Sequence, residues 1–402
     1  MPMQTVAARI RGFICLNAHP AGAAANVDAE VAIATREAPG KGMRDALVVG
    51  ASTGYGLSSL VSAVFGYGAR GVAVCLERPP HGDKTASAGW YNLAAVERVA
   101  RARGRELSVV NGDAFSDEIK AATLARLTAA GAKLDCVVYS LAAPKRTDAR
   151  TGGSWSSALK PIGAPYRSKS INLGNDTVNE VEIAPATPAE VEATRKVMGG
   201  EDFAAWTRAL LDADLLARGC RVIAYSYIGP DLTFPIYRSG TIGKAKEDLE
   251  ATAAELSATL RARIGGSAIV SVNKALVTQA AAAIPVVPLY ISILYKVMKE
   301  AGTHEGTAEQ IARLFRDHLA PGRAPTLDDR GRIRIDDREM DPGVQARVAE
   351  LWGKVTTENL LELTDYAGFK RDFRKLFGFD VPGVDYAAPV ETDVSIGGQS
   401  EA

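Results

Sequence analysis

The chain has 402 residues but only four cysteines and four histidines. Cys15, Cys75, Cys136 and Cys220 lie far apart with no CxxC pair, so neither a redox motif nor a disulfide framework is expected. Cys75 and Cys136 fall in apolar runs, where a buried thiol acts as a small hydrophobe. His19, His81, His304 and His318 show no ligand spacing, so no zinc site is expected. Net charge is lacking too: Lys+Arg and Asp+Glu both number 47, and no global field draws the chain to nucleic acid or a membrane surface. The most apolar run, Ala280 to Leu294, is interrupted by Pro285 and Pro288 and is too short to span a bilayer. The first twenty residues lack the apolar core of a secretory signal, and the chain is expected to be cytoplasmic. What remains is an ordinary globular composition, 47% hydrophobic and 23% charged, with length enough for a large core and two or three domains.

One stretch organises the rest. Ala46 to Leu60 reads ALVVGASTGYGLSSL: a buried-strand run, three glycines (Gly50, Gly54, Gly56), then the helical pattern Leu57, Leu60, Val61, Val64. Strand, glycine turn and helix in that order bring backbone N–H groups and a helix N-terminus to one spot, which suits a diphosphate. A second strand run, Gly71 to Leu76, is closed by Glu77, placed to accept hydrogen bonds from an adenosine ribose and to repel a 2′-phosphate. The reading is a dinucleotide site preferring NADH. Arg78, the next residue, is the feature that would accommodate the phosphate instead. A plain βαβ turn without a ligand is the structural alternative.

Strand and helix patterns then alternate. Strands are expected at Leu47–Val49, Val72–Leu76, Leu107–Asn111, Leu134–Ser140, Arg221–Ile228 and Ser267–Val272, and helices at Leu57–Gly66, Gly89–Arg103, Ser116–Ala130, Glu201–Arg218 and Gly243–Arg263. This predicts an α/β fold with a doubly wound parallel sheet of Rossmann type, whose ligands sit beyond the carboxyl ends of the strands. Asp113 and Ala114 would then flank an adenine, and Leu141 and Ala142 a nicotinamide ribose. Residues 1–44 form a preamble that covers a sheet edge or helps form the cofactor pocket. Within the main domain, 45–323, the polar stretch 145–200 breaks the rhythm and reads as an inserted lid with hairpin-like pieces. Inside it, Thr187-Pro188 with Glu190 has the pattern of a capped helix start. The apolar run Ala280 to Met298 is read as mostly helical, either a core helix or a wall for an acyl chain. Residues 324–402 form a small C-terminal domain, with a short strand at Arg332–Asp336 and helices over Gly343–Lys354 and Glu358–Phe377. Nothing in it suggests catalysis, and Glu391 to Ala402 reads as a frayed tail.

Between the expected strand at 221–228 and its helix lies FPIYRSGTIGKAK, residues 234–246. A phenol beside a lysine points to reductase chemistry: the phenol is a proton donor with an ordinary pKa of about 10, and a nearby ammonium would lower it. Tyr237 precedes Lys244 by seven residues and Lys246 by nine. In one unbroken helix, positions nine apart lie on opposite faces, so pairing with Lys246 requires Tyr237 to precede the helix on a turn. Ser239-Gly240-Thr241 supplies turn and cap residues. Spacing alone leaves both lysines open.

The sequence resembles the FabV-type NADH-dependent enoyl-acyl-carrier-protein reductases and the trans-2-enoyl-CoA reductases. The resemblance is carried by Arg11-Gly-Phe-Ile-Cys15 with His19-Pro20, Gly50 to Gly56, Tyr225-Ser-Tyr-Ile-Gly229, Ile236 to Lys246, Ala275 to Thr278, Pro288-Leu-Tyr290 and Gly302-Thr-His-Glu-Gly306. It implies that Tyr237 is the proton donor, that Lys246 contacts the cofactor and that Tyr227 contacts the substrate. It implies NADH contacts at Gly50, Ala51, Ser52, Thr53, Gly54, Tyr55, Leu76, Glu77, Asp113, Ala114, Leu141, Ala142, Lys246, Leu276, Val277 and Thr278. It further implies a monomer that reduces the 2,3 double bond of an acyl-carrier-protein or CoA enoyl thioester, the last step of a fatty acid elongation cycle. Tyr237 with Tyr227 would donate to the thioester oxygen, and Lys145, Arg146, Arg238 or Lys244 would meet an acidic carrier. A carbonyl or alcohol dehydrogenase and a non-catalytic NAD-binding sensor are the alternatives.

Overall fold

The computed structural model describes residues 3–400 apart from residues 13, 142, 149, 150 and 398. The N-terminal segment holds three two-residue strands, β1 (Met3–Gln4), β2 (Ile10–Arg11) and β3 (Ile14–Cys15), and then α1 (Pro20–Arg36). His19 caps α1: its Nδ1 accepts from Gly22 N at 3.1 Å, and the ring is fully buried. The alternating units follow: β4 (Asp45–Val49), α2 (Gly54–Val61), β5 (Arg70–Cys75), α3 (Ala88–Ala102), β6 (Leu107–Asn111), α4 (Asp117–Ala129) and β7 (Leu134–Tyr139).

The insertion forms two antiparallel hairpins, β8 (Lys145–Thr147) with β9 (Ser154–Ser156) and β10 (Tyr166–Asn172) with β11 (Thr177–Ile183). Next comes α5 (Pro188–Met198), whose N-terminus is the capping box the sequence suggests: Thr187 Oγ1 accepts from Glu190 N, and the Glu190 carboxylate accepts from Thr187 N. The helix expected to reach Arg218 stops at Asp212 as α6 (Glu201–Asp212). Asp214 turns the chain at φ 54°, and the following strand β12 (Leu216–Ser226) starts five residues early. Then come α7 (Thr241–Ile264) and β13 (Ser267–Val272).

The apolar run after β13 is not one helix. It gives α8 (Gln279–Ala282) and α9 (Val287–Glu300), parted at Pro285 and at Val286, which sits at φ 75° and donates its N–H to Ser170 of β10. After α10 (Thr307–Leu314), the last part supplies β14 (Ile333–Arg334), α11 (Pro342–Lys354), α12 (Leu360–Leu363) and α13 (Tyr366–Lys375), so the helix expected at 358–377 is two. Of the expected frayed tail, residues 391–397 and 399–400 are instead a strap, and residues 398, 401 and 402 lie outside the described residues. β15 (Val390–Glu391) pairs with β1, Trp90 and Tyr91 of α3 donate to Val394 O and Thr392 O, and β16 (Gln399–Ser400) lies beside β6.

Among the described residues the main sheet has eight strands, all parallel, in the order β14-β13-β12-β7-β4-β5-β6-β16. The period of two along each strand sorts side chains to two faces. Ala46, Val48, Ala73, Val138 and Ile223 join the core beneath α1, α2, α3 and α9. Leu47, Val49, Val74, Val137 and Val222 join the core beneath α4, α6 and α7. The chain runs outward from β4 to β6, then crosses to β7 and runs the other way. The carboxyl ends of β4 and β7 therefore diverge, which opens the crevice where such sheets bind ligands.

Candidate active site

The glycine turn sits over that crevice. Gly50 has φ 85° and Gly54 φ 53°, a left-handed conformation that glycine adopts without a Cβ penalty. A Cβ on Gly56 would lie 1.8 Å from Gly50 O, so the turn closes only around a glycine there. Thr53, the residue before α2, makes no side-chain cap, and the first N–H groups of α2 remain available for an anion. Ser52 donates its hydroxyl to Glu77 Oε1 at 2.6 Å, so the turn itself orients the carboxylate at the end of β5. Beside it Leu76 is 70% exposed, an apolar surface that an adenine ring would cover.

The other expected contacts line the same edge. Asp113 is exposed at the end of β6, while Ala114 is buried, with its carbonyl taken by Lys120 Nζ and Trp206 Nε1. Leu141 follows β7 and lines a cavity of about 250 Å³; Ala142 lies outside the described residues. Leu276, Val277 and Thr278 follow β13. Val277 N is bonded to Tyr295 Oη, and Thr278 approaches the glycine turn, its methyl 3.8 Å from where a Cβ on Gly54 would be. Ala51 is buried, and Tyr55 crosses the crevice to donate to Lys274 O at 2.5 Å.

The cavity continues past Leu141 between β12, α7 and α9, and Tyr227, Tyr237 and Lys246 all line it. Tyr237 lies on a chain of tight turns, its N–H bonded to Thr233 O, four residues before α7 begins. A nine-residue spacing thus reaches one site because the first half is turn and only the second half helix. Lys246 donates to Tyr225 O at 3.1 Å, and burial pulls its pKa down to about 8. Lys244 points away and pairs with Glu247 at the surface.

Two electrostatic expectations change. Tyr237 is 7% exposed, and burial, reinforced by the charge of Glu339, pushes its phenol up rather than letting a lysine lower it. The phenol therefore holds its proton, as a donor must. Tyr227 donates its one proton to Glu339 Oε1 at 2.9 Å and does not offer it to the cavity. Its ring stands edge-on to that of Tyr237, centroids 4.7 Å apart.

The far wall is apolar: Ile284, Val287 and Ile291 from the segment around α9, with Leu159, Val197 and Met198 from the insertion. The core reading of the 280–298 run holds for Leu289, Ile293 and Leu294, fully buried in the core, while Ile284, Val287 and Ile291 face the cavity. The insertion is fastened next to Tyr237, with Pro161 bridged to Gly240 and Thr241 N bonded to Lys160 O. Ser226 Oγ and Asn273 Nδ2 are buried in the cavity wall without a hydrogen-bond partner, polar groups that a bound ligand can satisfy. Ser226 lies inside the Tyr225–Gly229 motif but was given no role, and Asn273 and Lys274 were not marked by any motif. Their signal was position alone, at the carboxyl ends of β12 and β13.

A dinucleotide cradle at the switch point, continuous with an apolar cavity that holds a protonated phenol, defines a Rossmann-type oxidoreductase that works with a nicotinamide dinucleotide. Comparison with known proteins narrows this class. Three family models match in series: the NAD(P)H binding domain of trans-2-enoyl-CoA reductase over residues 5–82, the trans-2-enoyl-CoA reductase catalytic region over 84–320, and an enoyl reductase FAD binding domain over 327–390. An enoyl-acyl-carrier-protein reductase (NADH) of Opitutus terrae is 51% identical over 96% of this chain and 98% of its own. A trans-2-enoyl-CoA reductase (NADH) of Clostridium perfringens is 49% identical over 95% and 98%. The crystal structure of Treponema denticola trans-2-enoyl-CoA reductase in complex with NAD superposes with a TM-score of 0.92 at 45% identity, covering 98% of this chain and 99% of that one. The chain belongs to the trans-2-enoyl-CoA reductase family, which includes enoyl-acyl-carrier-protein reductases.

The residues at 327–390 do not fit the flavin named for that segment. The N-termini of α11 and α13 are occupied by Asp341 and Asp365, whose carboxylates accept from Gly343 N and Val344 N and from Gly368 N. A carboxylate there repels a diphosphate. The segment's aromatic residues Tyr366, Phe369 and Phe373 are buried in the common core rather than lining a cleft.

Proposed function

We propose that the chain reduces the 2,3 double bond of a trans-2-enoyl thioester with NADH, giving the saturated acyl thioester, and that Tyr237 and Lys246 carry the reaction. The observation that supports this most is that both side chains line one cavity beside the glycine turn, while Lys244 does not. The cradle residues Gly50 to Tyr55, Glu77, Asp113 and Leu276 to Thr278 would hold the dinucleotide, with Leu76 and Leu141 against its rings. Bound there, NADH supplies a hydride for the β-carbon of the enoyl group. Negative charge then develops on the thioester oxygen, and Tyr237, protonated and donating to no protein group among the described residues, donates a hydrogen bond to that oxygen; a proton delivered to the α-carbon, by Tyr237 or by water it relays, completes the saturated thioester. Lys246 holds a ribose hydroxyl and sets the orientation of the nicotinamide end. Ile284, Val287 and Ile291 pack along the acyl chain and exclude water from the developing charge.

Both carriers fit this reading, since the thioester and acyl chain are common to acyl carrier protein and CoA. Of the basic residues considered for an acidic carrier, Arg146 is buried and held by Glu201 and Lys244 is paired with Glu247, which leaves Lys145 and Arg238 for that role. A monomeric state and a cytoplasmic location belong to the same proposal; light scattering and cell fractionation test them.

Tyr237→Phe should slow NADH oxidation with crotonyl-CoA roughly 100- to 1,000-fold, the usual effect of removing one donor to a developing oxyanion. Lys246→Met should fall in the same direction, and both variants should keep the native circular dichroism spectrum. Rates equal to the parent enzyme in both would remove the assignment, and a larger loss in Lys244→Ala would transfer the lysine's role.

A further inference from the structure

The reductase reading draws no residue from the C-terminal segment, yet one of its side chains reaches the cavity wall from below. Glu339 follows β14 and is fully buried. Its Oε1 accepts from Tyr227 Oη at 2.9 Å and Tyr290 Oη at 2.6 Å, and its Oε2 accepts from Ala275 N at 2.7 Å. These donors come from three elements around the cavity: Tyr227 after β12 and Ala275 after β13 line it, and Tyr290 belongs to α9, whose Val287 and Ile291 line it. Gln345 of α11 braces the cluster, its Nε2 donating to Glu339 O at 2.7 Å and to Tyr290 Oη at 3.2 Å.

The segment that carries Glu339 is itself locked. Arg313 of α10 donates to both oxygens of Glu305, to Asp337 and to Ile335 O, and Gln310 takes Lys274 N on its Oε1. A buried carboxylate is costly unless donors surround it, so one held by three donors, two of them on residues that line the cavity and the third on the helix that supplies its apolar wall, is a built feature rather than a chance burial.

We propose that Glu339 is a positioning residue for enoyl reduction: by accepting the hydrogen bond of Tyr227, it leaves Tyr237 as the phenol that donates to the thioester oxygen and holds the two rings edge to face. This rests on the reductase reading above. A phenol has one proton to donate. With that proton donated in the hydrogen bond to Glu339, Tyr227 turns only lone pairs to the cavity and cannot compete with Tyr237 for the developing charge. The ring of Tyr227, anchored at its hydroxyl, then sets the position of the Tyr237 ring that it touches. The carboxylate's charge also disfavours ionisation of Tyr237, which keeps its proton available.

The test uses the full-length enzyme with NADH and crotonyl-CoA. Glu339→Gln keeps the side-chain shape but removes the charge and replaces one acceptor oxygen with a donor, so either the Ala275 bond or the two phenol bonds fail, and a bond that Tyr227 keeps is weakened. It should lower kcat by roughly tenfold or more while the NADH dissociation constant stays within about twofold. The double variant Tyr227→Phe/Glu339→Gln should be no slower than the slower single variant, because both changes act on turnover through the Tyr227 contact. A kcat for Glu339→Gln within twofold of the parent enzyme, or losses that multiply in the double variant, overturns the proposal. If Glu339→Gln does not fold, Tyr227→Phe reads the same contact from the other side: a comparable drop in kcat with NADH affinity retained supports the proposal, and an unchanged kcat overturns it. A parent enzyme that binds NADH but never oxidises it with any enoyl thioester would instead sink the reductase reading itself.

Discussion

At the scale of single residues, burial sets the chemistry. Tyr237 is buried and Lys246 half-buried, and desolvation disfavours the charged form of each: the phenol is pushed up and the ammonium down to about 8. The sign for Lys246 follows. Its folded value lies below the ordinary 10.5, so the unfolded chain keeps this proton where the folded chain has lost it, and the group adds stability as pH rises from about 8 to 10.5. In the proposed contact with the cofactor the effect runs the other way, because the charge that would strengthen a bond to a ribose hydroxyl disappears above about 8. The NADH dissociation constant, followed by fluorescence titration, should therefore rise several-fold between about pH 7 and 9.5. Lys246→Met should flatten that profile. A profile unchanged in Lys246→Met would assign the titration to Lys274, the other lysine of the cavity, whose pKa is also about 8.

At the scale of elements, the glycine turn and the break before α9 do the positioning. The turn packs on its own backbone, so Gly56→Ala should force Gly50 O aside and open the cradle. NADH affinity should fall at least about tenfold, since displaced donors no longer converge on the diphosphate. Thr187→Ala is the contrasting change: it removes a cap from α5, and about 1 kcal/mol of stability, while leaving turnover alone. Isothermal titration and thermal unfolding of the two variants check this separation; a Gly56→Ala enzyme with parental affinity would show that the turn tolerates a side chain. The strand–turn–helix order of this unit was legible in the sequence because glycine, apolar period and cap are local signals. The break at Val286 was less so. Two prolines marked the place, but a β-branched residue at φ 75° is held there by packing and by Ser170 of the insertion, 116 positions away.

At the scale of the molecule, one core joins regions far apart in the chain. Val27 and Val31 of α1, Leu289 and Ile293 of α9, and Tyr366, Phe369 and Phe373 of α13 belong to the same buried cluster. Fully burying one such side chain is worth about 1.5–3 kcal/mol, so losing four or five approaches the about 5–15 kcal/mol that holds a typical domain folded. A chain ending at residue 326 should therefore lose near-UV circular dichroism and NADH binding together. A truncated chain that folds and turns over substrate would make the C-terminal segment an independent unit and free the active site from it.

The sequence by itself determined what short-range physics encodes. The alternation of apolar runs names the strands and helices, the glycine turn and Glu77 name the dinucleotide, and Tyr237 with two following lysines narrows the chemistry to one stretch. Tertiary structure decided which lysine shares the cavity with the phenol, since that depends on where α7 begins. It decided where the proton of Tyr227 goes, since its acceptor lies 112 residues later. A carboxylate in a segment with no motif of its own carries no local sign of function. Only the fold, by bringing that segment beneath β12 and α9, gives Glu339 three donors and a place at the site.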